Sequence, residues 1–101
     1  MSQCELHSES ARLDAVFDML SNDYRREILF GLMEGDLHVS DISRQLQTTT
    51  ESERERIELA LYGIHLPKLD RFDFIEWSEN SDNVRRGERF EEIRPVLERV
   101  Y

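Results

Sequence analysis

A mainly α-helical domain with one small β-hairpin is the fold class that this sequence predicts. Apolar residues recur at spacings of three and four along most of the chain, which is the period of amphipathic helices. One segment alternates instead around the only tryptophan, Trp77, and runs into a polar turn typical of a hairpin. With 101 residues, the chain has room for one domain.

The chain begins with a segment that lacks a helical pattern. Residues 1–9 are mostly polar around one leucine, and we interpret them as a flexible N-terminal tail. Residues 10–101 then make up the domain. Its first helix is predicted to start at Ser10, because Leu13 and Phe17 begin an apolar stripe with helical spacing.

Three further elements are predicted before the middle of the chain. A second helix follows the break at Ser21 and Asn22, and either residue suits the N-cap position. This helix ends near Gly35, because glycine readily adopts the left-handed backbone just past a helix. An edge strand at residues 37–39 and a third helix at residues 41–47 follow.

The second half of the chain predicts one long helix, a hairpin and a final helix. The long helix covers residues 51–71 and ends or bends near Pro67, which cannot donate a backbone hydrogen bond. Strands at residues 72–78 and 84–86 flank the polar turn, and the apolar spacing from Phe90 onward indicates a C-terminal helix. This order of elements is that of a winged helix-turn-helix domain.

The chain is strongly acidic, and its basic residues are almost all arginine. Asp and Glu total 22 against 13 Lys and Arg, so the formal net charge is −9, and Lys68 is the single lysine. This composition resembles that of haloarchaeal proteins. In molar salt the screening length is about 3 Å, which suppresses the self-repulsion of such a charge. An ordinary acidic cytosolic protein is the alternative interpretation.

Other classes of protein are disfavoured by what the sequence lacks. Apolar runs are too short for a membrane span, and a single cysteine, Cys4, excludes an internal disulfide framework and fits a reducing cytoplasm. Cys4 and His7 have the spacing of half a zinc site, but the sequence has no second pair. It also lacks a glycine-rich phosphate loop and a paired nucleophile and base. We therefore expect no enzyme, no cofactor and no metal.

Four segments carry motifs of one family of regulators. Residues 16–29 join a helix end to an Arg-Arg pair through a Leu-Ser-Asn turn, and residues 39–46 look like the first helix of a helix-turn-helix. Residues 65–69 match the end of a recognition helix, and residues 74–76 match the start of a wing. In this order the segments resemble ArsR-like winged-helix regulators, most of all the small haloarchaeal members.

The resemblance covers residues 11–90 and implies a cytoplasmic, homodimeric transcriptional regulator whose partner is double-stranded DNA. Two departures from the family pattern limit what the resemblance implies. The stretch at residues 47–56 is longer and more charged than the usual tight turn, and the cysteine pairs of metal-responsive members are missing. Metal sensing is therefore not carried over, and the sequence identifies no small-molecule effector.

Eight residues are candidates for contact with DNA. In this fold the helix that begins near Ser52 enters the major groove, and the hairpin lies along the backbone or in the minor groove. Guanidiniums can bind guanine edges or phosphates, and hydroxyls at a helix start can bind phosphate. For the guanidiniums the alternative is pairing with neighbouring glutamates, and for the hydroxyls the alternative is helix capping. The candidates are Thr49, Thr50, Ser52, Arg54, Arg56, Arg85, Arg86 and Arg89.

The C-terminal apolar stripe is the candidate dimer interface. Terminal helices often build the two-fold dimer of ArsR-like proteins, which suits paired half-sites one helical turn apart. A core helix of the same chain is the alternative. The predicted interface residues are Phe90, Ile93, Leu97, Val100 and Tyr101.

The long helix is more apolar than a helix needs to be when it faces only a core and DNA. Leu59, Tyr62, Leu66 and Leu69 are predicted on its core side, and Ile57, Leu61 and Ile64 form an adjoining strip. Extra apolar width indicates deep packing or a second packing partner. The competing function is therefore a winged-helix module that binds proteins and does not read DNA.

Overall fold

The structure is a computed structural model that describes residues 3–45 and 50–100, with side chains described for residues 11–44 and 50–99. Its helices are α1 Gln3–Leu20, α2 Asp23–Leu32, α3 Val39–Gln45, α4 Glu51–Ala60, α5 Leu66–Arg71 and α6 Phe90–Val100; a π-helical turn, Leu61–His65, joins α4 to α5. Strands β1 Leu37–His38, β2 Ile75–Glu76 and β3 Asn83–Arg86 pair antiparallel in the order β1-β3-β2. The predicted fold class, mainly α with a small hairpin, is confirmed.

One hydrophobic core joins the helices to the sheet. Met19 of α1, Ile28 of α2 and Ile42 of α3 are buried in it together with Val84 of β3. Phe74, just before β2, is fully buried as well. Burial of each large side chain stabilises the fold by about 1.5–3 kcal/mol, so this shared core fixes where the helices stand relative to the hairpin.

The junction between α1 and α2 is defined by a helix cap. The side-chain oxygen of Asn22 accepts hydrogen bonds from the backbone N–H groups of Tyr24, at 2.8 Å, and Arg25, at 3.3 Å. These two donors have no partner inside the helix, which is why Asn is favoured at this position. Of the two predicted caps, Asn22 is the one that the structure uses.

A π turn divides the predicted long helix just before Pro67. In a regular α-helix the proline ring would clash with the carbonyl of Gly63, four residues earlier. The wider turn instead closes with a hydrogen bond from the N–H of Leu66 to the carbonyl of Leu61, which lies five residues earlier. The π turn thus lets the chain pass proline without leaving the helix.

The π turn also decides which side chains of this helix are buried. Leu61 and Leu66 are five residues apart, so a regular α-helix would turn one about 140° away from the other. The π turn brings both into the core, where they are fully buried. Leu59 and Tyr62 are exposed, so the prediction that they lie on the core side is wrong.

Two predicted boundaries differ from the structure. Helix α1 begins at Gln3, inside the predicted tail at residues 1–9, because polar residues extend the helix ahead of its apolar stripe. The division of the chain at Ser10 stays a prediction. The first hairpin strand is shorter than predicted because Asp73 takes left-handed backbone, with φ of 65°, and turns the chain between α5 and β2.

Candidate nucleic-acid interface

Helix α4 starts with a side-chain cap. The hydroxyl oxygen of Thr50 accepts a hydrogen bond from the N–H of Glu53 at 3.1 Å. Thr50 therefore acts as the helix cap, which was the alternative to phosphate binding. Thr49 lies outside the described residues, and Ser52 is exposed in the first turn.

The side of α4 that faces away from the core is open to solvent along its length. Ile57 is buried on the inner side, and at 100° per residue the opposite side carries every third or fourth residue from Ser52 onward. We call four exposed residues of this side the outer strip of α4: Ser52, Arg56, Leu59 and, in the π turn that follows, Gly63. The exposed carboxylate of Glu55 lies on the same side. A surface with this shape is able to fit the major groove of a duplex.

Three of the predicted arginines project into solvent. Arg54 and Arg56 are exposed on α4, and Arg85 is exposed on β3. Among the side chains that the structure describes, none of the three takes part in an ion pair. They are therefore available to an external anion or a base edge.

Arg86 is used inside the molecule instead. Its guanidinium donates to the carbonyl oxygens of Leu32, at 2.7 Å, and Met33, at 2.8 Å, at the C-terminal end of α2. It also stacks 5.1 Å from the ring centre of Phe90. These contacts weigh against the predicted contact of Arg86 with DNA, because two of its donors already bind carbonyls that have no partner in the helix. The contact with DNA stays a prediction.

Arg89 is occupied in a similar way. Its guanidinium pairs with the carboxylate of Glu92, with 2.8 Å between Nε and Oε2, and lies 4.8 Å from the ring centre of Phe74. The hydrogen bond from Arg89 lowers the pKa of Glu92. The ion pair supports the alternative interpretation of Arg89, pairing with a neighbouring carboxylate, while its contact with DNA stays a prediction.

The surroundings of α4 are acidic. Glu51, Glu53 and Glu55 are exposed on the same helix as Arg54 and Arg56. The predicted arginines therefore do not form a continuous positive ridge, and carboxylates lie between them.

The nearby negative charges also affect the pKa of the Tyr62 hydroxyl. Its pKa is raised, first by burial and then by the carboxylates of Asp82 and Glu58. Both carboxylates also bind other groups, since Asp82 accepts from Ser40 and Glu58 accepts from Ser43.

The hairpin is held against the helix-turn-helix by polar and aromatic contacts. Asp82 accepts hydrogen bonds from the N–H of Ser40, at 3.2 Å, and from its hydroxyl, at 3.1 Å, at the start of α3. The rings of Tyr62 and Trp77 lie 6.0 Å apart, and the indole N–H of Trp77 donates to the carbonyl of Ser81. These contacts fix the wing relative to both helices.

A buried Arg–His pair, which the sequence did not predict, links the π turn after α4 to α1 and α2. Arg25 donates to the carbonyls of Met19, at 3.1 Å, and Asp18, at 2.9 Å, and its Nη1 lies 3.1 Å from Nδ1 of His65. Both side chains are 6% exposed. Burial lowers the pKa of His65, and the charges of Arg25 and Lys68 lower it further. His65 is therefore neutral and accepts from Arg25.

The pair had no local sequence signal, because its members are 40 residues apart. The helical pattern of the sequence places the charged Arg25 on the solvent side of α2, and the structure shows that this prediction is wrong, because Arg25 is buried. The only hint was the Arg-Arg pair in the family resemblance, which does not say which of the two arginines is buried.

The predicted dimer interface is part of the core of the single chain. Phe90, Ile93 and Leu97 are at most 1% exposed, so they have no surface to offer a second copy. The prediction is corrected for these three residues in favour of its alternative, a core helix. The side chain of Val100 and all of Tyr101 lie outside the described residues.

Within the residues that the structure describes, no helix is both long and apolar enough to cross a membrane. No group of three or more His, Cys, Asp or Glu side chains among them is arranged to hold a metal ion. The side chains of Cys4 and His7 are outside that set.

The helix-turn-helix, the outer strip and the wing define the chain as a winged helix-turn-helix protein. It belongs to the family described as Domain of unknown function (DUF7344), whose model matches residues 17–85. No curated protein sequence matches the chain.

Solved structures confirm the fold. The chain is similar to reduced HlyU from Vibrio cholerae N16961, with 20% identity over 96% of both chains and a TM-score of 0.67. A second HlyU structure from the same organism has 19% identity over 91% of this chain and 90% of that one, with a TM-score of 0.63. The transcriptional repressor BigR from Xylella fastidiosa has 14% identity over 100% of this chain and 94% of its own, with a TM-score of 0.66.

Proposed function

We propose that this protein is a DNA-binding transcriptional regulator that reads the major groove with the outer strip of α4. The observation that carries the proposal is the strip itself. It is fully exposed in a winged-helix frame whose hairpin is fixed beside it. Since a helix of this kind fills the major groove, the strip lies where base edges would be read.

We limit the proposed DNA contacts to a smaller set. Arg54 and Arg56 on α4 and Arg85 on β3 are proposed to supply the charged contacts, and Ser52 offers a hydroxyl beside them. Thr49, which lies outside the described residues, and Thr50, at the start of α4, stay in the proposal. Arg86 and Arg89 are left out because their guanidiniums bind groups of the same chain.

The acidic flanks of α4 determine the conditions under which binding is favourable. Glu51 and Glu55 repel phosphate at low salt, and the exposed guanidiniums of Arg54, Arg56 and Arg85 are the ones proposed to oppose them. Affinity from phosphate contacts falls with a slope of about −0.9 per contact in a logarithmic salt plot. Three contacts correspond to a slope of about −2.7, so their contribution to affinity falls about 500-fold for each tenfold rise in salt, and base contacts and shape fit must supply most of the binding free energy in molar KCl. Screening removes the repulsion under the same conditions. The acidic, arginine-rich composition supports the proposal of a haloarchaeal protein in a cytoplasm of high salt.

The protein is proposed to act as a homodimer through α1 rather than through the core side of α6. Leu13 and Phe17 lie one helical turn apart on α1 and are 55% and 60% exposed. Two large apolar side chains on one face of a helix are the kind of patch that pairs across a two-fold axis. A dimer would present two copies of α4 to paired half-sites.

Selection from a random duplex pool in molar KCl, followed by fluorescence-polarisation titration of the selected duplex, tests DNA binding. We expect the variant with both Arg54→Ala and Arg56→Ala to bind at least about tenfold more weakly, the loss of one good base contact. Arg99→Ala, an exposed arginine of α6, is the matched control and should bind like the native chain. Failure of the native protein to select any sequence at any KCl concentration would refute the proposal.

A protein-binding module is the second candidate, and one observation favours it. Leu59 and Tyr62 line a shallow depression together with Glu55 and Glu58, a surface that is apolar and negative. Such a surface suits a basic protein segment better than it suits a phosphate backbone. The selection experiment separates the two candidates, because a protein-binding module enriches no DNA sequence.

A further inference from the structure

Leu59 is the large apolar side chain that α4 exposes most. It is 73% exposed in the middle of the outer strip, with Ser52 and Arg56 on one side of it and Gly63 on the other. The buried side chains of the same helix, Ile57 and Leu61, point the opposite way. Leu59 therefore contributes nothing to the core and stands where the helix would meet a ligand.

The chemistry of the major groove offers one apolar partner for such a side chain. Guanine, cytosine and adenine present hydrogen-bond donors and acceptors there, whereas thymine adds a C5 methyl group. An isobutyl group gains free energy only from the methyl, because it has no polar atom to pair with the other edges.

The neighbours of Leu59 limit how this side of α4 approaches DNA. Glu55, one turn earlier, is exposed on the same side and is repelled by phosphate, which disfavours contact of this side with the DNA backbone. With α4 in the major groove as proposed, base edges are the part of the duplex left for it to meet. Arg56, three residues before Leu59, is the group on the strip that can bind guanine. Gly63 has no atom within 4 Å of the position that a Cβ would occupy, so the strip is unobstructed on the C-terminal side of Leu59.

We infer that Leu59 reads the C5 methyl group of a thymine in the major groove, next to the base contacted by Arg56. The inference rests on the proposed function and deepens it, because it assigns a specificity-determining residue and a chemical feature of the operator. A regulator that reads DNA in molar salt needs such a contact, since an apolar contact does not weaken as salt rises.

The test removes single methyl groups from DNA. Duplexes enriched from a random pool in molar KCl are resynthesised with deoxyuridine in place of thymine, one position at a time, and titrated by fluorescence polarisation. Deoxyuridine pairs as thymine does and lacks only the methyl. We expect one position in each half-site where the native protein binds about fourfold more weakly, the effect of withdrawing one buried methyl group.

Two variants assign that loss to the side chain. Leu59→Ala is expected to bind the thymine and deoxyuridine duplexes equally at that position. Ile64→Ala is the matched control, because Ile64 is also exposed and lies on the same continuous helix but outside the outer strip; it should keep the fourfold difference.

Each result decides the matter. A loss at one position that disappears in Leu59→Ala supports the inference. Equal binding of thymine and deoxyuridine duplexes at every position, or a difference that Leu59→Ala retains, overturns it while leaving DNA binding intact. A pool from which the native protein enriches no sequence overturns the proposed function, and the inference with it.

Discussion

At the scale of single residues, the arginines of this chain divide between structure and surface. Arg25 binds the last carbonyls of α1, and Arg86 binds those of α2. In both cases a guanidinium satisfies carbonyl oxygens that a helix end leaves without partners. Arginine suits this role because its planar group donates several bonds at once and keeps its charge when buried. A cluster of arginines in the sequence is therefore no direct measure of a DNA-binding surface.

Replacing Arg86 with alanine should destabilise the fold. The carbonyls of Leu32 and Met33 would lose their donors, and hydrogen bonds to a charged group contribute about 1.5–3 kcal/mol each at most. We expect the free energy of unfolding to fall by about 2 kcal/mol in urea titrations. Arg85→Ala, an exposed neighbour on the same strand, is the control and should change it by less than about 0.5 kcal/mol. Equal stabilities of the two variants would contradict this role of Arg86.

The His65–Arg25 contact should make stability depend on pH. The folded-state pKa of His65 is lowered, so the unfolded chain binds this proton more readily, and its stabilising effect is complete above the unfolded pKa of about 6.5. This stabilisation is lost as the pH falls from the unfolded pKa of about 6.5 through the folded-state pKa of His65. The groups facing the ring are Arg25 and Tyr24 of α2 and Lys68 of α5, and none of them titrates in that range in the unfolded chain.

His65→Asn provides the measurement for this effect. Asparagine keeps an acceptor near Nδ1 but does not take up a proton in this range. Between pH 7 and pH 5.5 the urea midpoint of the native chain should fall more than that of the variant. Parallel pH profiles for the two proteins would show that His65 does not titrate in the folded state as inferred.

At the scale of elements, the π turn explains how one helix serves both the core and the outer strip. Leu61 and Leu66 are both buried. Leu59, which precedes them, and Tyr62, which lies between them, are exposed. A regular helix through Pro67 would either bend away or expose one of the buried pair. The turn thus sets the rotation of α5 against that of α4, and with it which side chains reach the surface.

Two glycines give opposite predictions for substitution by alanine. Gly63 is exposed in the π turn with open space around it, so Gly63→Ala should raise the free energy of unfolding by about 0.5–1 kcal/mol through helix propensity. Gly87 has the carbonyl oxygen of Asp73 only 2.3 Å from where a Cβ would stand, so Gly87→Ala should lower it by about 1–3 kcal/mol. Thermal unfolding of both variants checks the pair, and a stable Gly87→Ala would refute the close approach.

At the scale of the whole molecule, charge and exposed apolar surface point to separate roles for two faces. The chain has a net charge of −9, and carboxylates lie beside the proposed DNA-binding surface. If the proposed function holds, screening in molar salt is a condition for DNA binding. Association through the apolar side chains of α1, as in the proposed dimer, would in contrast be favourable at any salt concentration.

The proposed dimer predicts the effect of a charge on α1. Phe17→Glu should convert the protein from two chains to one in multi-angle light scattering, because a carboxylate buried in an apolar interface has no partner. Leu59→Glu places the same charge on another exposed apolar residue and should leave the mass of the dimer unchanged. An unchanged mass for Phe17→Glu would place the interface elsewhere, and a single-chain mass for the native protein would end the dimer proposal.

The sequence by itself determined the order of the helices and strands, a helix cap at Ser21 or Asn22 and the apolar stripe of α6, because each depends on residues within a few positions of one another. Only the structure shows that Asn22 is the cap and that the stripe of α6 is buried in the core. The tertiary structure alone decided which arginines are free and which side of α4 is outermost. Arg86 meets Leu32 from 54 residues away and His65 meets Arg25 from 40. The π turn shifts the helical period itself. Contacts of such sequence separation, and a local change of period, leave no mark on spacing within a helix, so they become visible only once the chain is folded.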